Sequence, residues 1–155
     1  MRHPAVLTGA KTLALLPHAR SAASPEAAPS PEQRVAAMIA YLRSLVLAHP
    51  VTHERGHAVF VDANSAWIGD GPCGIGDMST LTVSLRTLLG EALRIDARGL
   101  ILAHSHPSGH CRPSGCDIAA TRRLSDVARA LEIALIDHLI FTTDAVYSMR
   151  AGGML

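Results

Sequence analysis

Two histidines and one aspartate are spaced along the sequence so that they could bind a single metal ion. The apolar run at residues 99–103 is typical of a buried strand, and His104 and His106 follow it. Because side chains alternate along a strand, both imidazoles are expected on one face at its carboxyl end. A Pro-Ser-Gly turn comes next, and a Pro-Ser pair then predicts a helix start whose first turn carries Asp117. The strand end and the helix start should therefore meet at one point.

These three side chains favour zinc. Two imidazoles and one carboxylate make three protein ligands, which is the set that a catalytic zinc takes when its fourth position is left to water. The alternative for the acid is an ordinary helix start, with Ser114 as N-cap and Asp117 near the positive end of the helix dipole. A lone His-x-His is equally typical of buried core histidines. The combination of these features is more specific than any of them, and it favours a metal site.

The sequence from about residue 50 to about residue 150 resembles a known family. His104, His106, Ser114 and Asp117 match the motif His-x-His-x(7)-Ser-x-x-Asp of the JAMM (JAB/MPN) metalloproteases. The flanking His-Pro-Ser-Gly and Pro-Ser-x-x-Asp, and the later Ile-Asp-His ending at residue 138, are similar to the RadC-like branch of that family. The resemblance implies an α/β fold with a mixed β-sheet sandwiched by helices, related to the cytidine deaminases.

The same resemblance implies an upstream glutamate that acts as general base. Glu54 precedes an apolar run that ends in Val-Asp, and the base of the family precedes a similar run that ends in Leu-Asp. The alternative for Glu54 is a solvated acid at a strand entry. Glu91 is a second candidate, but it lies on a Leu-rich helical pattern and is better explained as an exposed helix residue. Ser114 would donate a hydrogen bond to the oxyanion, which contributes about 3 kcal/mol in the transition state. Asp137 is either a partner behind the ligands or a strand-edge acid.

The residues and the resemblance together predict a zinc-dependent hydrolase of amide bonds. The resemblance implies a metallopeptidase or isopeptidase of the JAMM type, acting on a peptide or an isopeptide-linked protein. The alternative is a non-catalytic, metal-stabilised binding module in a DNA-repair or mobile-element context. Both hypotheses need His104, His106 and Asp117, but only the enzyme needs Glu54 and Ser114. The sequence names neither the substrate nor an oligomeric state.

Composition is that of one globular domain. Of 155 residues, 48% are apolar and 17% are charged, and fourteen basic residues against thirteen acidic ones leave a net charge of +1. This charge predicts no nucleic-acid partner. No apolar stretch approaches the roughly twenty residues of a membrane span. The short run at residues 13–16 ends at Pro17, so no signal peptide is expected.

Three cysteines, an odd number, predict a reducing compartment such as the cytoplasm. Cys111 and Cys116 could form a disulfide or a second metal site, but they lie in the loop and helix start that the metal site already shapes, so we expect neither. Cys73 follows Gly-Pro and is expected in a turn. A deaminase needs Pro-Cys-x-x-Cys with His-x-Glu, and this sequence has neither, which excludes that class.

The chain divides into a flexible Pro/Ala/Ser-rich segment at residues 1–30 and a RadC-like JAB/MPN domain at residues 31–155. RadC-like proteins usually carry a helix-hairpin-helix region, and residues 1–48 have no Gly-x-Gly hairpin, so we expect the catalytic module alone. The residues at 85–87 read Leu-Arg-Thr where the branch often has Pro-Arg-Glu, which leaves the role of that acid open. Periodicity and turn signals predict helices at 31–48, from Ser79-Thr80 through Ala92, and at 114–131, and strands at 57–62, 65–69, 99–103, 133–141 and 145–150.

Overall fold

The computed structural model describes residues 28–75 and 84–155. Along the chain its elements are α1 (Pro31–Val46), β1 (Arg55–Val61), β2 (Trp67–Ile75), α2 (Leu85–Arg94), β3 (Gly99–Ser105), α3 (Gly115–Ala130), β4 (Ala134–Phe141) and β5 (Val146–Ser148). The described strands form one sheet in the order β2-β1-β3-β4-β5, in which β3 and β4 are parallel and the other neighbours are antiparallel. The predicted α/β fold, a mixed sheet flanked by helices, is confirmed.

Alternation along the central strands divides the core between the two faces of the sheet. On one face the strands pack against α1, and this cluster includes Met38, Leu42, Val46, Val59, Ile101, Leu139 and Phe141. On the other face they pack against α2 and α3, and this cluster includes Ala58, Phe60, Leu88, Leu89, Leu100, Leu102, Leu124 and Ala128. Since β3 lies at the centre and is buried along its whole length, its end is shielded on both faces.

Helix α3 connects the parallel strands β3 and β4, as such a pair requires a crossover. It begins at a capping box in which Ser114 and Asp117 exchange hydrogen bonds between side chain and backbone. Its buried face consists of Asp117, Thr121, Leu124 and Ala128. Leu131, the C-cap at the end of α3, is 39% exposed.

Strand β2 is longer than its sequence predicts. It continues through Gly-Pro-Cys-Gly to Ile75, so Cys73 lies in a strand and not in a turn. Pro72 is tolerated because β2 is an edge strand, and the register with β1 shifts beside it, between Gly56 and His57. A glycine- and proline-rich segment therefore paired as an irregular edge.

The other elements differ from their predicted bounds mainly at their ends. The predicted cap at Ser79-Thr80 lies outside the described residues, and the described helix α2 begins at Leu85 with Ser84 as its N-cap. Strand β5 ends at Ser148, where the backbone turns into a loop. Residues 1–27 of the segment predicted to be flexible lie outside the described residues. None of the described helices is long and apolar enough to cross a membrane.

The packing of α3 can be tested with two leucines of different burial. Leu124 on the buried face of α3 is 1% exposed, whereas Leu93 on α2 is 54% exposed. We expect Leu124→Ala to lower the free energy of unfolding by about 2–5 kcal/mol, because it leaves a cavity in the core. Leu93→Ala should change it by no more than about 0.5 kcal/mol. Urea unfolding of both variants measures the difference, and equal losses would contradict this description of the core.

Candidate metal centre

The two histidines of the motif meet at the end of β3. His104 is the penultimate residue of the strand and is fully buried, and His106 lies just beyond it and is 7% exposed. The backbone N–H of His106 donates to the Phe141 carbonyl of β4, which holds the chain against the sheet after β3 has ended. The Nε2 atoms of His104 and His106 are 2.8 Å apart. Both imidazoles therefore face one small volume, as alternation along a strand predicts.

The first turn of α3 brings Asp117 to the same volume. Its Oδ1 is 3.3 Å from Nε2 of His104, and its Oδ2 is 3.3 Å from Nε2 of His106. Oδ2 also accepts hydrogen bonds from the backbone N–H and the hydroxyl of Ser114, each at 2.7 Å. Capping and proximity to the histidines thus coexist, and the helix start fixes the orientation of the carboxylate.

Glu54 reaches this centre from the neighbouring strand. It immediately precedes β1, which pairs with β3 so that Gly56 lies opposite His104, and it is only 3% exposed. Its Oε1 is 3.8 Å from Nε2 of His106. Among the described residues, Glu54, His104 and His106 form a buried group that could hold a metal ion. Asp117 lies closer to both histidines than Glu54 lies to His106.

The chemistry and spacing of these donors fit zinc. Two ligand atoms bound to one tetrahedral zinc at about 2.0–2.1 Å lie about 3.3 Å apart. The Asp117 carboxylate has this separation from each imidazole, through Oδ1 to His104 and through Oδ2 to His106. The Nε2 atoms of His104 and His106, 2.8 Å apart, are closer than this ideal and would have to separate slightly to hold the ion between them. Nitrogen and carboxylate oxygen are both ligands that zinc accepts.

Hydrogen bonds direct Nε2 of His106 towards the shared volume. Its Nδ1 is 2.6 Å from the His110 carbonyl, which can only accept, so Nδ1 carries the hydrogen and the neutral ring keeps a lone pair on Nε2. Burial opposes a charge on His106, but its bonds to Asp117 and to the His110 carbonyl raise its pKa. Burial likewise opposes charge on Asp117, yet its bonds to His104, His106 and Ser114 hold its pKa far below the usual range. The Asp117 carboxylate and a positive charge on His106 therefore stabilise each other.

Sequence reasoning missed two side chains, Thr121 and His138, that lie behind the two histidines of the motif. Nδ1 of His104 is 2.7 Å from Nε2 of His138 on β4, and Nδ1 of His138 is 2.6 Å from the hydroxyl of Thr121 on α3. Burial and the nearby His104 hold the pKa of His138 well below its ordinary value, so this ring is neutral. Asp137 points elsewhere: it is buried within the sheet, accepts from the Ser148 hydroxyl and is bonded to the backbone of Arg150.

The remaining candidates lie apart from this cluster. Glu91 is exposed on α2 and forms an ion pair with Arg94, as its helical pattern predicts. Cys73, Cys111 and Cys116 are free thiols, and the group of potential ligands among the described residues contains none of them. Burial raises the pKa of Cys73 to about 12, which makes this thiol unreactive.

The mixed sheet between helices, with a buried Glu/His/His group at the end of a central strand, is the arrangement of a JAB-type domain. A profile of the RadC-like JAB domain family matches residues 30–154. The match covers most of the chain, and the chain therefore belongs to the RadC-like JAB domain family.

Similar proteins include UPF0758 proteins of Bordetella avium, Bordetella petrii and Rhodobacter capsulatus. They are 37%, 40% and 38% identical to this chain over 110, 98 and 109 residues. These alignments cover 70%, 63% and 70% of this chain, and 48%, 44% and 50% of the relatives. The chain thus spans about half the length of the relatives it matches.

The site predicts how much metal the protein holds. We expect the purified protein to bind about one zinc per chain and His106→Ala to lose it, because the remaining ligands compete poorly with water for the ion. Elemental analysis of dialysed protein measures the content. Undiminished zinc in His106→Ala would contradict the assignment of His106.

Replacing the two cysteines that lie in the loop after β3 and at the start of α3 provides the matching control. Cys111→Ser combined with Cys116→Ser should retain zinc, because the imidazoles and carboxylates already supply the donors. Zinc content and circular dichroism are measured on the same sample. Loss of zinc from a folded double variant would show that a thiolate belongs to the ligand set.

Proposed function

We propose that this chain is a zinc-dependent hydrolase of amide bonds, a metallopeptidase or isopeptidase. The observation that supports it most directly is Glu54, a buried carboxylate placed beside His106 but farther from the histidines than Asp117 is. A site that only stabilised the fold would need ligands and no additional acid at this distance. In our proposal His104, His106 and Asp117 hold the ion, and Glu54 acts on the water.

Zinc held by two imidazoles and a carboxylate supplies a Lewis acid, which acidifies water and polarises a carbonyl group. Glu54 accepts the proton of the attacking water and delivers it to the leaving amine. Its place at the start of β1 suits this role because the pairing of β1 with β3 fixes its distance from the histidines. The low exposure of Glu54 keeps bulk water from competing for the proton.

Ser114 is proposed to donate a hydrogen bond to the oxyanion that forms during hydrolysis. In the structure its hydroxyl donates to Oδ2 of Asp117, and it accepts from the Asp117 backbone N–H. The carboxylate keeps a second bond, from the Ser114 backbone N–H, when the hydroxyl rotates away. Ser114 can therefore change partner without releasing Asp117.

We propose a peptide or an isopeptide-linked protein as substrate. The net charge of +1 supports neither a nucleic-acid backbone nor another strongly charged polymer as the partner. The relatives are about twice as long as the region they share with this chain, so the residues that select their substrates need not lie in the shared region.

Replacing the proposed base tests this mechanism. Glu54→Gln preserves shape but cannot accept a proton, so we expect hydrolysis to fall by about 10²- to 10⁴-fold while zinc content and melting temperature stay near those of the wild type. Glu91→Gln is the matched control, because Glu91 is an exposed glutamate on α2 and should leave the rate unchanged. Turnover and zinc are measured on one preparation, since lost zinc would mimic a lost base.

Two outcomes would contradict the proposal. Full activity of zinc-loaded Glu54→Gln would remove Glu54 from the mechanism. A zinc-loaded wild type that cleaves no peptide or isopeptide bond in a lysate, as judged by mass spectrometry of new amine termini, would favour the alternative of a non-catalytic, metal-stabilised binding module.

A further inference from the structure

Three buried side chains connect the start of α3 to the metal centre. The Thr121 hydroxyl is 2.6 Å from Nδ1 of His138, and Nε2 of His138 is 2.7 Å from Nδ1 of His104. Thr121 is 1% exposed, His138 is 3% exposed and His104 is fully buried. Bulk solvent therefore cannot supply alternative donors or acceptors, so these side chains must find their hydrogen-bond partners within the protein.

The direction of these hydrogen bonds follows from the partners at the end of the series. A threonine hydroxyl has one hydrogen, and that of Thr121 points to the backbone carbonyl of Asp117 at 2.6 Å, a group that can only accept. The sulfur of Met149 at 3.5 Å is a much weaker competitor for it. The Thr121 oxygen must then accept from His138, so Nδ1 of His138 carries the hydrogen.

The direction of the hydrogen bond between His138 and His104 follows in the same way. A neutral imidazole has one N–H, so a His138 ring that donates from Nδ1 has a lone pair on Nε2. Nδ1 of His104 faces that lone pair and must donate to it. The neutral His104 ring then has its own lone pair on Nε2, which is the atom that faces His106 and Asp117.

We propose that Thr121 and His138 are positioning residues that fix the tautomer of His104, so that His104 always presents Nε2 as the metal ligand. This inference rests on the metal site of the proposed function but not on hydrolysis. Thr121 follows Asp117 by one helical turn and bonds to its carbonyl, so a single turn of α3 both carries the carboxylate ligand and sets the tautomer of an imidazole ligand on β3. The reverse direction would place an N–H on Nε2 of His104, against the ion.

Thr121→Val and Thr121→Ser test the role of the hydroxyl. Valine has nearly the shape of threonine but cannot accept from His138, whereas serine can. We expect Thr121→Val to weaken zinc binding by about 10- to 100-fold and Thr121→Ser to retain the wild-type affinity. Competition with a chromophoric zinc chelator measures the affinity. Wild-type affinity in folded Thr121→Val would overturn the proposal.

The tautomer itself is observed by NMR of metal-free protein labelled with ¹⁵N-histidine, at mildly alkaline pH where a free imidazole is neutral. We expect the hydrogen on Nδ1 of both His104 and His138 in the wild type, and a mixture of tautomers in Thr121→Val. A purely structural role of Thr121 would lower the melting temperature of the variant and leave the tautomers unchanged, which would overturn the proposal.

The wild-type spectrum decides the matter even if Thr121→Val does not fold. A hydrogen on Nε2 of His104 in the wild type would overturn the proposal directly. Because this spectrum is recorded without metal, it separates the two claims. A protein with the expected tautomers that binds no zinc would contradict the proposed function and leave the hydrogen-bond direction standing.

Discussion

The candidate metal centre depends on electron-pair donors that converge in the buried interior of the protein. Nε2 of His104 and Nε2 of His106 are 2.8 Å apart, with the Asp117 carboxylate 3.3 Å from each and the Glu54 carboxylate nearby. Lone pairs at such distances repel one another unless a proton or a metal cation lies between them. Burial strengthens both the repulsion and the attraction to a cation. The fold therefore brings two imidazoles and two carboxylates to one point, where a metal ion would offset the repulsion between their lone pairs.

The fold brings these groups together through one crossover and one neighbouring strand. The unit formed by β3, α3 and β4 supplies both imidazoles, Asp117 and the buried pair of Thr121 and His138. Only Glu54 comes from outside this unit, and the antiparallel pairing of β1 with β3 fixes its position. Ligands in α/β sheets commonly bind beyond the carboxyl ends of the strands, and this centre lies at the carboxyl end of β3. Because α3 carries both Asp117 and Thr121, a shift of this helix would disturb several groups of the centre at once.

Spacing along the chain predicted the parts of the centre that are local. His104 and His106 share a strand end, and Asp117 lies in the first turn of the next helix, so alternation and helix-start signals suffice to bring them together. Glu54 was reached only through family resemblance, because its proximity depends on strand pairing. His138 escaped detection because its contact with His104 also depends on the sheet, although a histidine inside the apolar strand β4 was a signal.

Other differences have equally local causes. Thr121 lies one turn after Asp117, so helical periodicity is enough to place it on the buried face of α3. A single threonine on a helix face gives little indication of a polar role. The segment around Pro72 has the composition of a turn, yet it pairs with β1. An edge strand tolerates a proline, because the missing N–H costs no hydrogen bond of the sheet when it faces solvent. Composition predicts the local preference for a turn, whereas the position of a strand in the sheet decides whether glycine and proline are tolerated in it.

The most direct test of the central claim is the anomalous scattering of zinc-loaded crystals, recorded on both sides of the zinc absorption edge. We expect one peak per chain, about 2.0–2.2 Å from Nε2 of His104, Nε2 of His106 and a carboxylate oxygen of Asp117. A peak bound by Cys111 or Cys116, or zinc-loaded crystals with no peak between these two histidines, would contradict it.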